Sequence, residues 1–393
     1  MLCRHPATIE RSLMSDMRNF AGIMFLLCTV LLAGSAIAVT PEQVDAFVAA
    51  SNRSAKLLQQ LEASAEQGNA SSQNKLGLMY ENDQTVQQDY ALAAKWYSRA
   101  AQQGFAPAQN NLGFLYVQGL GVAMDYEKAM HWFRKAAAQG DDGAQNNLGA
   151  IYSKGLGVSQ DYAKAVQWYR KAAELGNIIA QANLGDLYEK GLGVSQDAVQ
   201  AALWFRKAAE QGFGKAEYRL GALYAKGLGV QQNYSQATQW YLKAAEQDEA
   251  EAQTDLGLLY SNGQGVQQDY VQAAQWFRKA AEQGVAMAQF NLGVLHVNGE
   301  GVPREYAQAA QWFRKAADQG EAAAQYNLGA LYVSGEGVPQ DDVQAMKWFI
   351  LAKTNGYSRA DLAQKALKGL SAAQLAEARK LALEWRPVRQ LEK

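Results

Sequence analysis

Cysteine is almost absent from this chain of 393 residues. Its two cysteines, Cys3 and Cys28, both lie near the N-terminus. The rest of the sequence can therefore form no disulfide, no thiolate metal site and no cysteine nucleophile. Histidine is equally scarce, since only His131 and His296 lie beyond residue 38. These two occupy non-equivalent positions far apart in the sequence, which favours packing roles over a catalytic or metal-binding pair. We expect no metal and no cofactor.

An excess of charge of either sign is also missing. Lysine and arginine total 37, against 38 aspartate and glutamate residues. No basic stripe indicates nucleic acid, and no acidic tail indicates a basic partner. The acidic run from Asp248 to Asp255 lacks the alternating oxygen ligands and the turn glycine of a calcium loop. We interpret it as a solvated face. No catalytic residue is predicted, so a hydrolase is a remote alternative.

One long apolar run lies near the N-terminus. It reads "FAGIMFLLCTVLLAGSAIA", follows Arg18 and ends in the small residues Ala36 and Ala38. This order is typical of a signal peptide cleaved after Ala38, which predicts a leader over 1–38 and a periplasmic or secreted protein. An uncleaved membrane anchor is the alternative, because the run is barely long enough to span a bilayer. After cleavage, no membrane span is expected.

Beyond the leader, the sequence repeats itself. A Leu-Gly pair recurs eight times at steps of 36 residues, from Leu76-Gly77 to Leu328-Gly329, and a tryptophan keeps the same step from Trp96 to Trp348. Self-similarity at this period indicates a helical solenoid. We number the units repeats 1 to 8; they cover 69–356 and begin at residues 69, 105, 141, 177, 213, 249, 285 and 321. The flanks 39–68 and 357–393 are expected to be N-terminal and C-terminal helical caps.

Repeat 2 illustrates the expected local structure. Apolar residues at helical spacing predict a first helix, "GLGV" from Gly119 breaks it, and Asp125 suits the N-cap of a second helix. Gly140 suits the left-handed residue that ends the second helix. Because "GLGV" follows a helix and recurs in related form in seven repeats, we interpret it as a turn and not as a phosphate-binding loop.

Gly113 falls inside the predicted first helix of repeat 2. A glycine there costs about 1 kcal/mol relative to alanine, so its regular recurrence predicts a close approach of the neighbouring helix. The recurring tryptophan, Trp132 in this repeat, is expected to fill the wider part of the same interface, so that all eight indoles lie in the core. Asp248 replaces the helix-ending glycine in repeat 5, and the left-handed region penalises non-glycine residues. We expect a weak point between repeats 5 and 6.

These motifs give the chain a family likeness. The pattern A-x-x-x-LG-x-x-Y, then G-x-GV, then D-x-x-x-A-x-x-W-[FY]-x-[KR]-AA-x-x-G resembles the Sel1-like repeats, relatives of the tetratricopeptide repeats. The resemblance implies an all-α fold, an α/α right-handed superhelical solenoid of eight helix-turn-helix repeats, and a role as an adaptor. A cysteine-rich branch of the family is associated with penicillin binding. This chain has no cysteine in its repeats, so that activity is not carried over.

Five positions of the first helix vary between repeats and share one helical face. In the tetratricopeptide relatives the corresponding face lines the concave groove. Apolar residues on it are candidates for partner binding: Phe114, Tyr218, Phe290, Val294, Val297, Tyr326 and Val333. Burial against the adjacent repeat is the alternative. We therefore expect a non-catalytic exported scaffold that binds a protein or peptide partner. Binding of envelope glycan or peptidoglycan, through Tyr218 and Tyr326, is the second possibility.

Overall fold

The computed structural model describes residues 56–82, 86–359 and 369–388. All regular secondary structure in these ranges is helical, so the fold is an all-α solenoid. The predicted leader, the start of the N-terminal cap, the middle of the turn of repeat 1 and residues 360–368 lie outside the described residues. The helices of the repeats are α1 Ala70–Asn82, α2 Tyr90–Gln102, α3 Ala106–Gln118, α4 Tyr126–Ala137, α5 Asp142–Lys154, α6 Tyr162–Glu174, α7 Ile178–Lys190, α8 Ala198–Ala209, α9 Gly214–Lys226, α10 Tyr234–Glu246, α11 Ala250–Asn262, α12 Tyr270–Glu282, α13 Ala286–Asn298, α14 Tyr306–Asp318, α15 Ala322–Ser334 and α16 Asp342–Thr354, and α17 Ala372–Glu384 follows.

The chain divides into two compact units. The N-terminal unit covers Met1–Asp197 and the C-terminal unit covers Ala198–Lys393, so the division falls inside repeat 4. Within each unit, successive helices pack against one another in chain order. This serial arrangement is expected of repeats whose helix pairs have too little apolar surface to form a core alone.

Repeat 2 shows how the sequence signals determine the helix ends. Pro107 lies in the first turn of α3, which ends at Gly119 with a left-handed φ of 67°. The Asp125 side chain caps α4 by accepting a hydrogen bond from the Lys128 backbone N–H at 2.9 Å. Gly140, with φ 87°, follows the second helix. The predicted cap, the predicted helix-ending glycine and the interpretation of "GLGV" as a turn are confirmed.

The glycine inside the first helix makes room for an aromatic ring. A Cβ atom added to Gly113 would lie 2.7 Å from Cε1 of Phe133 and 3.2 Å from the backbone oxygen of Ala129. The close approach is therefore within one repeat, and the prediction that Trp132 fills this interface is wrong. The residue after the tryptophan fills it in repeats 1 to 3 and 5 to 8, and is at most 4% exposed in every repeat. The residues concerned are Tyr97, Phe133, Tyr169, Phe205, Tyr241, Phe277, Phe313 and Phe349.

The recurring tryptophans are only partly interior. Trp96, Trp204 and Trp348 are buried, but those of repeats 2, 3, 5, 6 and 7 are half-buried, so the expectation of eight core indoles is wrong for five of them. In these five repeats the lysine three positions on covers the ring. Lys279 Nζ, for example, lies 4.3 Å from the Trp276 ring centroid. A cation–π contact of this kind holds the indole at the edge of the core.

The second glycine of the turn brings neighbouring repeats together in repeats 2 to 8. A Cβ atom on Gly121 would lie 2.1 Å from the backbone oxygen of Tyr90, at the start of the second helix of repeat 1. In the C-terminal unit, a Cβ atom on Gly337 would lie 2.3 Å from the same atom of Tyr306. The close backbone approach between repeats therefore lies at the turns.

A row of buried amide side chains also links the repeats. Gln253 Nε2 donates to the Ala245 carbonyl oxygen at 3.1 Å, and Gln253 Oε1 accepts from Gln283 Nε2 at 2.9 Å. The same pattern joins Gln139 to Gln109 at 2.9 Å. Gln253 and Gln109 each donate to a backbone carbonyl near the end of the preceding helix, so that these buried polar groups are paired.

Helices outside the eight repeats cover both ends. Residues 56–66 are helical, and the Ala65 carbonyl oxygen accepts from Gln73 Nε2 at 2.9 Å, as the second helix of a repeat does. At the other end, α17 packs on α16 and begins at a capping box formed by Ser371 and Gln374. Beyond α17, the Val388 N–H donates to the Asp318 carbonyl oxygen at 2.8 Å. The chain thus returns to the end of α14.

Candidate partner-binding surface

The first helices of the C-terminal unit, α9, α11, α13 and α15, carry most of the predicted binding residues. Tyr218 and Phe290 occupy one repeat position and are half-buried. The Tyr218 ring lies 5.7 Å from that of Tyr241, and the Phe290 ring lies 5.9 Å from that of Phe313, between centroids. Each ring is therefore supported from below by the aromatic core of its own repeat and remains partly accessible. We call the surface of these four helices the first-helix face.

The equivalent positions of the N-terminal unit are buried. Asn147 Nδ2 donates to Asn110 Oδ1 at 2.9 Å, and Asn183 Nδ2 donates to Asn146 Oδ1 at 3.2 Å. Asn110, Asn146 and Asn147 are fully buried. These paired amides join the first helices of consecutive repeats and leave little of their side chains for a partner.

Phe114 is a correction to the predicted set. Its side chain is only 8% exposed and packs in a core cluster with Leu78 and Val117. Aromatic rings stabilise a packed interior more than most side chains because of their large apolar area. Phe114 therefore belongs to the interior of the N-terminal unit and not to a binding surface.

Val294 and Val297 line a cleft between α13 and α15. Its volume is about 480 Å³. The deeper lining is apolar, with Phe313 and Leu331 buried beneath the two valines. The remaining lining residues are Asn298, Tyr306, Asn327, Ala330, Ser334 and Glu336. The cleft therefore combines an apolar floor with polar side chains, as ligand sites generally do.

Tyr326 and Val333 are partly covered by the C-terminal segment. Both pack in a cluster with Leu370 and Leu375, which flank the start of α17. The Tyr326 ring centroid is also 4.8 Å from that of Tyr357. These two residues therefore pack against the neighbouring segment of the chain, which is the alternative to a role in partner binding.

Asp255 lies on the same face. It was expected to be solvated, but it is partly buried. Burial raises the pKa of its carboxyl group, while hydrogen bonding from the Tyr241 and Tyr218 hydroxyls and the charge of Lys226 act in the opposite direction. Burial, followed by the charge of Asp255, raises the pKa of Tyr218 to about 12. Sequence reasoning missed this group because it treated residues 248–255 as one acidic run. The repeat register gives the signal, since Asp255 occupies the position at which Asn111 and Asn147 are buried in the N-terminal unit.

The two histidines differ in their burial. His296 is buried, with Nδ1 3.3 Å from the Pro303 carbonyl oxygen, and His131 is exposed, with its ring edge-on to Trp132 at 5.2 Å. Within the described residues, no group of three or more histidine, cysteine or acidic side chains is arranged to hold a metal ion. No helix in the described part of the chain has the length and hydropathy needed to cross a membrane.

The geometry defines a helical-repeat protein with an open face on its C-terminal unit. The sequence pattern of the Sel1 repeat matches eight consecutive segments, 70–105, 106–141, 143–177, 178–213, 214–249, 250–285, 286–321 and 322–357. The chain therefore belongs to the Sel1 repeat family, whose repeats generally serve as scaffolds for protein interaction. A search of curated proteins found no match.

Solved structures of Sel1 repeat proteins are among those similar to this chain. A Sel1 repeat protein from Oxalobacter formigenes is 36% identical, with 79% of this chain and 90% of that chain covered and a TM-score of 0.58. A protective antigen of uropathogenic Escherichia coli strains, described as having an SLR fold, is also 36% identical. The match covers 83% of this chain and 85% of that chain, with a TM-score of 0.45.

Proposed function

We propose that this protein is a non-catalytic scaffold that binds a protein or peptide partner on the first-helix face of its C-terminal unit. One observation carries the proposal. The packing positions hardly vary between repeats, whereas Tyr218, Phe290, Val294 and Val297 place different apolar side chains, all half-buried, on one face. Burying such groups drives association, and the residues that contribute most are large and well supported.

The core beneath this face supports a pre-organised surface. Phe290 rests on the Phe313 ring, and Phe313 is only 1% exposed. A side chain already held by its neighbours loses little conformational entropy when a partner binds. The face therefore suits binding without rearrangement of the helices.

Photo-crosslinking in cells tests this proposal. A photoreactive amino acid is placed at Val297, and as a control at Val271, which is 52% exposed on the second helix of repeat 6. We expect a discrete crosslinked partner from position 297 that is absent from position 271 and is lost when Phe290→Ser is added. Helical circular dichroism confirms that each variant folds. Equal crosslinking from both positions, or insensitivity to Phe290→Ser, overturns the proposal.

We also propose that the scaffold acts in the periplasm or after secretion. The signal-like leader over 1–38 supports this, as does the absence of cysteine beyond it. Fractionation of cells that express a C-terminally tagged chain, with N-terminal sequencing of the product, tests it. We expect an exported protein that begins at Val39. Recovery of the protein in the cytoplasm would refute export. Recovery in the membrane with the leader intact would show that the leader is an uncleaved anchor.

Envelope glycan is the alternative ligand. The Tyr326 ring lies between Phe349 and Tyr357, 5.5 and 4.8 Å away between centroids, so it packs mainly against protein. Sedimentation with isolated cell wall separates the two ligand classes. We expect the protein to stay in the supernatant. Cosedimentation that Tyr218→Ala abolishes would establish glycan binding in place of protein binding.

A further inference from the structure

We infer that the cleft between α13 and α15 binds a peptide that inserts an aliphatic side chain and places a lysine or arginine beside it, against Glu336. This inference rests on the proposed function and names the chemistry of the partner. It depends on the shape of the cleft, on the residue type in the turns of repeats 7 and 8, and on how the Glu336 carboxylate is held.

The cleft has the size and lining for an inserted side chain. Its volume of about 480 Å³ falls within the range of roughly 300–1,000 Å³ typical of ligand sites. Val294 and Val297 form its accessible walls, and Phe313 and Leu331 form its buried floor. Nothing charged lines this apolar part, so an aliphatic side chain fits it better than a polar one.

The repeats themselves show that the acid at the mouth is unusual. The residue between the two turn glycines is leucine in repeats 2 to 5, glutamine in repeat 6 and glutamate, Glu300 and Glu336, in repeats 7 and 8. Leu156 of repeat 3 packs partly buried against the core of the N-terminal unit. The turn does not require glutamate, because Gly335 has a φ of 72° and Gly155 of the leucine-containing turn has 69°. The change therefore alters the surface and not the fold.

Glu336 is held in place at the cleft. Its Oε2 accepts a hydrogen bond from Ser334 Oγ at 3.1 Å, and both residues line the cleft. Glu300 is held in the same way, by Asn298 Nδ2 at 3.1 Å. Among the residues that the structure describes, neither carboxylate has an ion-pair partner. A positioned carboxylate beside an apolar cleft complements a cationic side chain, and such pairs contribute mainly to specificity.

The other polar lining suits an extended peptide. Asn298 and Asn327 lie on the two helices that border the cleft. Side-chain amides both donate and accept hydrogen bonds, which allows them to pair with the backbone of a bound segment. An aliphatic side chain in the cleft with a basic neighbour at Glu336 therefore satisfies both parts of the site.

Selection from a phage-displayed random dodecapeptide library tests the inference. The full-length protein is immobilised as wild type, Glu336→Lys, Val297→Asp, Phe290→Ser and, as a matched charge-reversal control, Glu282→Lys. Glu282 is exposed at the C-terminal end of α12, the second helix of repeat 6. We expect the wild type and the control to enrich peptides with an aliphatic residue next to lysine or arginine. Glu336→Lys should bind these peptides at least tenfold more weakly and enrich acidic neighbours instead, and Val297→Asp should lose them.

The outcomes separate this inference from the proposed function. If the selected peptides need Phe290 and Val297 but show no preference for a basic residue, the inference is overturned and the proposed function stands. The same holds if Glu336→Lys leaves the preference unchanged. If no peptide depends on Phe290 or Val297, both are overturned. Circular dichroism of each variant excludes loss of folding as the cause.

Discussion

The ring of Phe313 occupies the space that a side chain on Gly293 would need. A Cβ atom at Gly293 would lie 2.6 Å from Phe313 Cε1, which is closer than real Cβ contacts approach. Phe313 also forms the floor of the cleft and supports Phe290. The glycine therefore fixes the position of the ring on which the proposed binding surface of repeat 7 rests.

Gly293→Ala should destabilise the C-terminal unit although alanine is the better helix former. The gain in helix propensity is about 1 kcal/mol, whereas overpacking a close-packed core costs about 1–3 kcal/mol. We expect a net loss of up to about 2 kcal/mol, measured by urea unfolding followed at 222 nm.

A second background gives the control for this substitution. In a Phe313→Leu variant the ring is gone, so Gly293→Ala should become neutral or stabilising as helix propensity dominates. If alanine costs the same in both backgrounds, the ring is not the reason for the glycine.

Much of this architecture could be predicted from the sequence, because a repeat presents the same local signals many times. The position of Asp125 as a cap, of Gly119 and Gly140 at helix ends, and of "GLGV" as a turn followed from residue type and spacing. The choice between adjacent aromatic residues could not be predicted in this way, since Trp132 and Phe133 point to neighbouring parts of one helix surface. Only packing shows that the ring of Phe133 meets the glycine.

The exposure of side chains on the first helices was harder to predict for a related reason. Tyr218 and Phe114 both lie on the variable face of a first helix, but one is half-buried and the other is buried. Exposure there depends on the side chains of the adjacent helices, which periodicity does not describe. Asp255 was missed in the same way, because its tyrosine neighbours come from α9 and α10.

Asp248→Gly should strengthen the junction between repeats 5 and 6. Asp248 has a φ of 63° and is the non-glycine residue with positive φ among the residues described, at a position where Gly212 and Gly284 have 82° and 97°. The left-handed conformation costs about 1–2 kcal/mol for a residue with a Cβ atom, and less for aspartate. We expect stabilisation of about 1 kcal/mol and slower amide hydrogen exchange at the start of α11.

The reverse change supplies the control for that junction. Gly284→Asp should speed exchange at the start of α13 by a similar factor. In the wild type, the α11 start should exchange faster than the α13 start, and equal protection of the two would show that Asp248 is not a weak point.

The tryptophans should differ in their contribution to stability. Trp348 is fully buried, so Trp348→Ala should cost about 3–5 kcal/mol. Trp276 is half-buried beneath Lys279, and its loss should cost less, on the order of 1–2 kcal/mol. Urea unfolding of the two variants compares them. Equal losses would mean that exposure does not determine their roles.

Glu217→Gln should stabilise the C-terminal unit at neutral pH. Glu217 stands where other repeats have the bridging glutamine, and it accepts from Gln247 Nε2 at 2.8 Å. A carboxylate cannot donate to the Ala209 carbonyl oxygen as Gln253 donates to that of Ala245. The variant restores a donor, which is worth about 1 kcal/mol. The matched change Gln253→Glu should destabilise by a similar amount.

The stabilisation by Glu217→Gln should also depend on pH. Burial raises the pKa of Glu217 above its usual 4.5, so the folded protein takes up this proton at a higher pH than the unfolded chain. The cost of the buried charge is complete above the folded-state pKa and disappears as pH falls from there to about 4.5. The difference in unfolding free energy between variant and wild type should therefore be largest at pH 7 and shrink through that window. Urea unfolding at pH 7, 6, 5 and 4.5 measures it, and a difference that stays constant with pH would show that the carboxylate is not destabilised by burial.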